Sequence, residues 1–252
     1  MCAERIFRAA RAAMLPLAGV LLLSPAVAFG GAPIVQTMVV GQGGTILSGP
    51  RNVQDGPSSV AVAGRRCSVA AGTPLGALAS LGRLGGPAFL LRDYGRCGAA
   101  ARNSGQLFVY SVAGQKNRGQ SGWEYKAGGI AGSTGAADPS GIRGDGRLLR
   151  SGQRVLWFWC EATAGGCQRT LEVSAAQTVG RSGTLAVRVT GFDNEGRGAA
   201  VAGAVVKLGT DFVTTGASGR ASLIVPSSPG RYVLSATRRG LVPAFPETIV
   251  VK

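Results

Sequence analysis

Short runs in which apolar and polar residues alternate recur along most of this chain, and one stretch alone carries a helical period. Ile34–Val40 alternates weakly and is rich in β-branched residues, which predicts a strand. After Thr73-Pro74, the apolar residues Leu75, Leu78, Ala79 and Leu81 recur at spacings of three and four. With Thr73 as N-cap and Pro74 in the first turn, this predicts a helix ended by Gly82 or Gly85. Phe89–Asp93, Gln106–Val112, Gly122–Lys126, Arg154–Cys160 and Gln168–Val173 predict further strands. One helix among several strands predicts an α+β domain over residues 29–174, with the helix on one face of a mixed sheet.

The pattern changes after Ala175. Thr184–Thr190, Ala204–Leu208, Arg220–Val225, Arg231–Ala236 and Thr248–Val251 are short strand-like runs. Turn clusters separate them: Asp193-Asn194-Glu195-Gly196, Ser218-Gly219 and Ser227-Ser228-Pro229-Gly230. Even spacing without a helical period predicts a small antiparallel β-sandwich over 184–252, joined by a linker at 175–183. The fold class expected is therefore mainly β.

The run Val155-Leu156-Trp157-Phe158-Trp159-Cys160 is apolar on both faces of a strand, with Trp157 and Trp159 sharing one of them. A sheet with one helix has one face covered, so part of this aromatic surface is left for something else to cover. The C-terminal domain, the long Gly-rich connection from Gly128 to Arg147, or a ligand or partner could do so. Trp123 and Tyr125 oppose Glu124 and Lys126 on a neighbouring run, and read as core or as part of the same site. The connection itself reads either as a gating loop or as a surface excursion pinned to the fold.

Residues 1–28 stand apart. Arg5, Arg8 and Arg11 precede an apolar run from Ala12 that ends in Ala26-Val27-Ala28, the form of a secretory signal peptide. Pro16, Gly19, Ser24 and Pro25 interrupt that run, which favours cleavage over an uncleaved anchor, and no later stretch is apolar enough to span a bilayer. Export changes the meaning of the cysteines. Of the five, Cys2 leaves with the signal, and Cys67, Cys97, Cys160 and Cys167 remain. An even count in an oxidising compartment predicts two disulfides, with Cys160–Cys167 and Cys67–Cys97 preferred among the three pairings. A four-thiolate zinc is the alternative, but there is no C-x-x-C knuckle.

The absence of any His excludes a Ser-His-Asp triad, a Cys-His dyad and His-ligated zinc. No Ser-x-x-Lys, G-x-S-x-G or phosphate-cradling glycine loop is present either, so no catalytic residue is expected, and no metal. Of the formal charge of +15, removal of three Arg and Glu4 with the signal leaves 24 basic against 11 acidic residues, or +13. That charge is scattered, with no run longer than Arg65-Arg66 and Arg238-Arg239, and aromatics do not interleave with it. A nucleic-acid partner is therefore not expected. A dispersed solvated surface is, with salt-sensitive attraction to anionic wall polymers as the sharper alternative.

Three segments carry a family resemblance: Gly72-Thr73-Pro74-Leu75-Gly76-Ala77-Leu78, Gly122-Trp123-Glu124-Tyr125-Lys126, and the run from Leu149 through Arg154-Val155-Leu156-Trp157-Phe158-Trp159. Over residues 60–173 the chain resembles the C-terminal domain of transcobalamin and intrinsic factor and its secreted bacterial relatives. Ala127-Gly128 stands where that family has Asn-Gly, and Gly152-Gln153 where it has Gly-Asp. The large helical domain that holds most of the cobalamin in the animal carriers has no counterpart here. The resemblance implies a β-grasp-like fold; a corrinoid is raised by resemblance alone, and no cofactor is expected. The tail resembles bacterial Ig-like and carboxypeptidase regulatory-like modules through Asp193-Asn194-Glu195-Gly196, Gly203-Ala204-Val205-Val206, Thr214–Ala221 and Pro229-Gly230-Arg231-Tyr232. Such modules serve as spacers or adhesion units.

Two functions are carried forward. One is an exported, non-catalytic module that binds a small molecule or a cell-wall glycan through Trp157, Trp159, Trp123 and Tyr125. The other is a structural or adhesion protein of the cell surface whose aromatic strand is an internal domain interface.

Overall fold

The structure is a computed structural model that describes residues 31–252; the expected signal peptide at 1–28, with Cys2, lies outside the described residues. Among the described residues the fold is mainly β, with one α-helix. Strand β1 (Ile34–Val40) turns back as β2 (Ile46–Gln54), and β3 (Ser58–Val62) and β4 (Arg65–Val69) form a hairpin. Helix α1 (Pro74–Arg83) follows. Strands β5 (Phe89–Asp93), β6 (Leu107–Val112) and β7 (Gln115–Lys116) make a three-stranded sheet in that order.

The central sheet is completed by β8 (Gly122–Ala127), β9 (Ile130–Ala131) and β10 (Arg154–Cys160). Its order is β2-β1-β10-β8-β9, with β1 and β10 parallel and the other pairs antiparallel, so the sheet is mixed. The β8–β9 turn is Gly128-Gly129, at φ 59° and 83°. Both central residues of this tight turn need positive φ, which glycine supplies without strain. Ala127 is still a paired strand residue, opposite Ile130.

The helix forms where the pattern placed it. Thr73 Oγ1 accepts from Gly76 N at 3.2 Å, Pro74 occupies the first turn, and Gly85 follows the end at φ 82°. Every residue from Pro74 to Leu81 is buried. The cause is that the helix is covered on more than one side: Leu75, Leu78 and Leu81 share a core with Val35, Val39 and Val155 of the central sheet. Val60 and Val69 of the hairpin and Val109 of the three-stranded sheet belong to the same core. The expected arrangement of one helix on one sheet face is thus extended by two further β elements. Strands β2, β3 and β4 escape the pattern because β2 carries Gly49-Pro50 and lies at an edge, while β3 and β4 are short.

Beyond Cys160 come β11 (Thr170–Ala175), β12 (Thr178–Val179), β13 (Thr184–Phe192), β14 (Gly198–Ala200) and β15 (Val205–Leu208). Then follow β16 (Asp211–Thr214), β17 (Arg220–Ile224), β18 (Gly230–Thr237) and β19 (Glu247–Val251). One sheet has β13 at its centre, with β11 on one edge and β14 and β17 sharing the other. The second has the order β12-β19-β18-β15-β16. Both sheets contribute to one apolar cluster, for example Val173 and Val189 from the first and Val206 and Leu234 from the second.

Two expectations are corrected here. The strand expected at 168–173 in the N-terminal domain pairs with β13 and belongs to the C-terminal sheets, because its inward residues Leu171 and Val173 fit that core. Residues 175–183, expected as a linker, supply the end of β11 and all of β12. Since β12 runs parallel to β19, that sheet is not purely antiparallel.

Candidate functional site

The register of β8 against β10 places Tyr125 directly opposite Trp157 and Trp123 directly opposite Trp159. Cross-strand aromatic pairs of this kind interlock. Trp123 and Trp159 meet edge to face, with ring centroids 6.0 Å apart, and Tyr125 lies tilted on Trp157 at 5.5 Å. Three of the four polar tips find partners within the protein. Trp157 Nε1 donates to Pro74 O at 3.1 Å, Trp123 Nε1 to Gln115 O at 2.7 Å, and the Tyr125 hydroxyl to Thr134 O at 3.1 Å.

All four candidate ligand-binding residues therefore come together as one layer, but the layer is interior: none is more than 5% exposed. The aromatic surface of strand 155–160 is covered by other parts of the chain, one of the alternatives the sequence left open. Helix α1 covers Trp157, and the connection from Gly128 to Arg147 meets Tyr125 through Thr134. Ala136 and Ala137 of that connection are buried in the same core, and Ala136 O accepts from Leu75 N at 2.8 Å. It is pinned to the fold at its middle.

The other face of β10 is covered by chain from the far end of the sequence. Leu156, Phe158 and Cys160 pack with Met38 and Val40 of β1 and with Val242 and Phe245 from the segment between β18 and β19. Two cations tie this seam. Lys126, 1% exposed, directs its ammonium at Thr170 Oγ1 (3.2 Å), Phe192 O (3.0 Å) and Asp193 O (2.7 Å). Burial pulls its pKa down to about 8, against the opposing charges of Asp193 and Glu195. Arg154 pairs with Glu247 at 2.6 Å, reaches Gln36 Oε1 at 3.0 Å and lies over the Phe245 ring. The cavity left between Lys126, Arg154, Leu156, Thr170 and Phe245 is about 60 Å³. Sites for organic ligands hold roughly 300–1,000 Å³, so the seam has room for solvent only.

Both expected cysteine pairs stand at disulfide distance, Cys67 with Cys97 and Cys160 with Cys167, at Cα separations of 5.3 and 5.1 Å. The second pair anchors the seam, since Cys160 belongs to its cluster and Cys167 packs against it. Among the described residues no three His, Cys, Asp or Glu side chains gather as a metal site, and no helix is long and apolar enough to cross a membrane.

A buried carboxyl also went unpredicted. Asp55, just past β2, is 0% exposed, and among the described residues neither carboxyl oxygen has a well-formed hydrogen bond. It faces the Gly72 and Thr73 amides at the start of α1, with Arg83 the nearby cation, and desolvation pushes its pKa up to about 7. A Cβ at Gly76 would collide with its Oδ1, so glycine there makes room for the carboxyl. No protein-family model, curated protein or solved structure matches this chain.

One exposed feature was missed in the sequence. The outward side of β5 and β6 carries Leu90, Arg92, Phe108 and Tyr110, and Tyr94 follows directly. Phe108 is 40% exposed and Tyr94 65%. Leu107-Phe108-Val109-Tyr110 is apolar on both strand faces, the same signal that drew attention to 155–160. Here, however, only the Leu107 and Val109 side is buried.

Proposed function

We propose that the protein is an exported, non-catalytic structural or adhesion protein in which the strand at 154–160 is an internal interface. The N-terminal part is read as a β-grasp-like domain related to the transcobalamin C-terminal family, and the tail as an Ig-like module that holds it in place. The observation that carries this reading is the double burial of β10: Trp157 and Trp159 face the helix-bearing core, while Leu156 and Phe158 face Val242 and Phe245. Two staples, one at the seam, suit a chain that works in an oxidising compartment.

Cell fractionation of the source organism tests it. The chain is expected outside the cytoplasm, shortened at its N-terminus, fully protected from thiol alkylation without reductant, and retained on envelopes at low salt. Recovery of a full-length, alkylatable chain in the cytosol contradicts it.

The rival reading, a small-molecule or glycan site at Trp157, Trp159, Trp123 and Tyr125, has no opening to those rings. Glycan binding takes its support from elsewhere, on the exposed side of β5 and β6.

A further inference from the structure

We infer that the outward face of the β5–β6 sheet binds an acidic, uronate-bearing glycan. The inference rests on the protein being exported, and it assigns the site to residues far from the aromatic core layer.

The face is one continuous strip. Tyr94 and Phe108 rings lie 5.9 Å apart, tilted at 56°. Phe108 is paired across the strands with Arg92, and the Arg92 guanidinium lies 4.8 Å from the centroid of Tyr110. Monomeric proteins rarely leave large apolar side chains contiguous at a surface without a use for them. The inner side of the same strands already supplies core residues, so folding does not require aromatics on the outside.

Charge says what the strip would meet. An open groove of about 490 Å³ begins one residue beyond Tyr94, lined by Arg96, Arg102, Asn103, Gln106 and Asp138 among others. Arg92, Arg96 and Arg102 enter none of the ion pairs among the described residues. The nearby acids are engaged. Asp93 is held by Arg65 at 3.0 Å and by the Gly95 and Cys97 amides, and Asp138 takes both the Ser140 amide and its hydroxyl. Unpaired guanidinium groups present planar donor forks that match carboxylates. Flat rings beside them suit the C–H faces of pyranose units, whose partial positive charge complements the ring face. Here the rings alternate with isolated cations, which fits a polymer whose carboxylates are separated by apolar sugar faces. A nucleic acid, with a charge on every nucleotide, calls for a denser basic stripe than this.

Affinity electrophoresis of the full mature protein in gels containing polygalacturonate or neutral dextran tests the inference. The wild type is expected to be retarded by polygalacturonate and not by dextran. Tyr94→Ala and Arg96→Ala should each weaken binding at least fivefold without lowering the melting temperature. Phe212→Ala, at the most exposed aromatic of the C-terminal sheets (74%), should bind as the wild type does. If Tyr94→Ala misfolds, Arg96→Ala decides alone, since its side chain enters no ion pair among the described residues. No retardation by polygalacturonate overturns the inference, as does unaltered binding by folded Tyr94→Ala and Arg96→Ala. Tighter binding to polyphosphate, single-stranded DNA or phosphatidylglycerol vesicles than to polygalacturonate overturns it too, by showing a response to charge alone. Each result concerns purified protein, so it is separate from whether the chain is found outside the cell.

Discussion

Lys126 Nζ donates to the carbonyl oxygen of Asp193 at 2.7 Å, linking β8 to a turn 67 residues further along. With Thr170 Oγ1 and Phe192 O it gives a buried ammonium three acceptors, all from the C-terminal half. Together with the Arg154–Glu247 pair, this side chain stitches the central mixed sheet to the following sheets. Lys126→Met keeps the apolar stem and removes the donors, leaving those acceptors without them. Unfolding free energy should fall by roughly 2–4 kcal/mol in denaturant titrations. A change within a few tenths of a kcal/mol would show that the bonds do not hold the seam.

Two buried ionisable groups should give the stability curve two limbs of opposite slope. Asp55 stays protonated in the folded chain up to about pH 7, while the unfolded chain ionises it near its ordinary 3.8. Between those values the folded state binds more protons, so stability falls as pH rises, then levels off above 7. A rise of that size corresponds to roughly 4 kcal/mol as an upper limit. Asp55→Asn should therefore be more stable than the wild type at pH 7.5, and the advantage should shrink as pH falls toward 4. For Lys126 the folded pKa is the lower one, about 8 against 10.5, so stability rises through that window as the unfolded chain keeps its proton. Chemical denaturation across pH 4 to 10 reads both limbs, and Lys126→Met should lack the alkaline one.

Gly76 sits in the first turn of a helix, where alanine ordinarily stabilises by up to about 1 kcal/mol. Here the added methyl meets Asp55 Oδ1 and, at 3.1 Å, Thr73 Oγ1. Gly76→Ala should destabilise by about 1–3 kcal/mol, and the loss should be largely relieved in the Asp55→Ala background. A melting temperature that rises on Gly76→Ala alone would contradict the packing described for the helix start.

The two disulfides should differ in worth. Loop closure assigns roughly 3.5 kcal/mol to Cys67–Cys97, which spans 30 residues, and roughly 2.5 kcal/mol to Cys160–Cys167, which spans 7. Paired Cys→Ser variants, compared by denaturant titration, should rank in that order. Non-reducing peptide mapping that links Cys67 to Cys160 would overturn the connectivity itself.

Much of the fold could be read from periodicity. Strands 34–40, 89–93 and 154–160 occupy the spans that alternation indicated, and the cap and first-turn residues Thr73 and Pro74 start α1 as expected. What periodicity does not carry is which element covers which. The aromatic run at 157–159 called for a second cover because one helix covers one face, and its pattern did not say whether the C-terminal domain, the long connection or a ligand or partner supplies it. The second face is closed by Val242 and Phe245, whose approach depends on tertiary packing across some 80 residues. The same blindness hid the reverse case at Phe108 and Tyr110. Apolar on both sides is one signal in sequence, whether the strand ends up between two layers or at the surface. Asp55 left no signal, since a single carboxylate after a strand ordinarily faces water.

The central claim is that β10 is interior on both faces, and tryptophan fluorescence tests it directly. The chain contains three Trp, at 123, 157 and 159, and all three lie in the buried layer. Titration of the native mature protein with iodide and acrylamide should find a blue-shifted emission that iodide does not quench and acrylamide quenches weakly, with no change when polygalacturonate is added. Iodide quenching in the native state, or an emission shift on adding a ligand, would show that these rings reach solvent and would contradict the account.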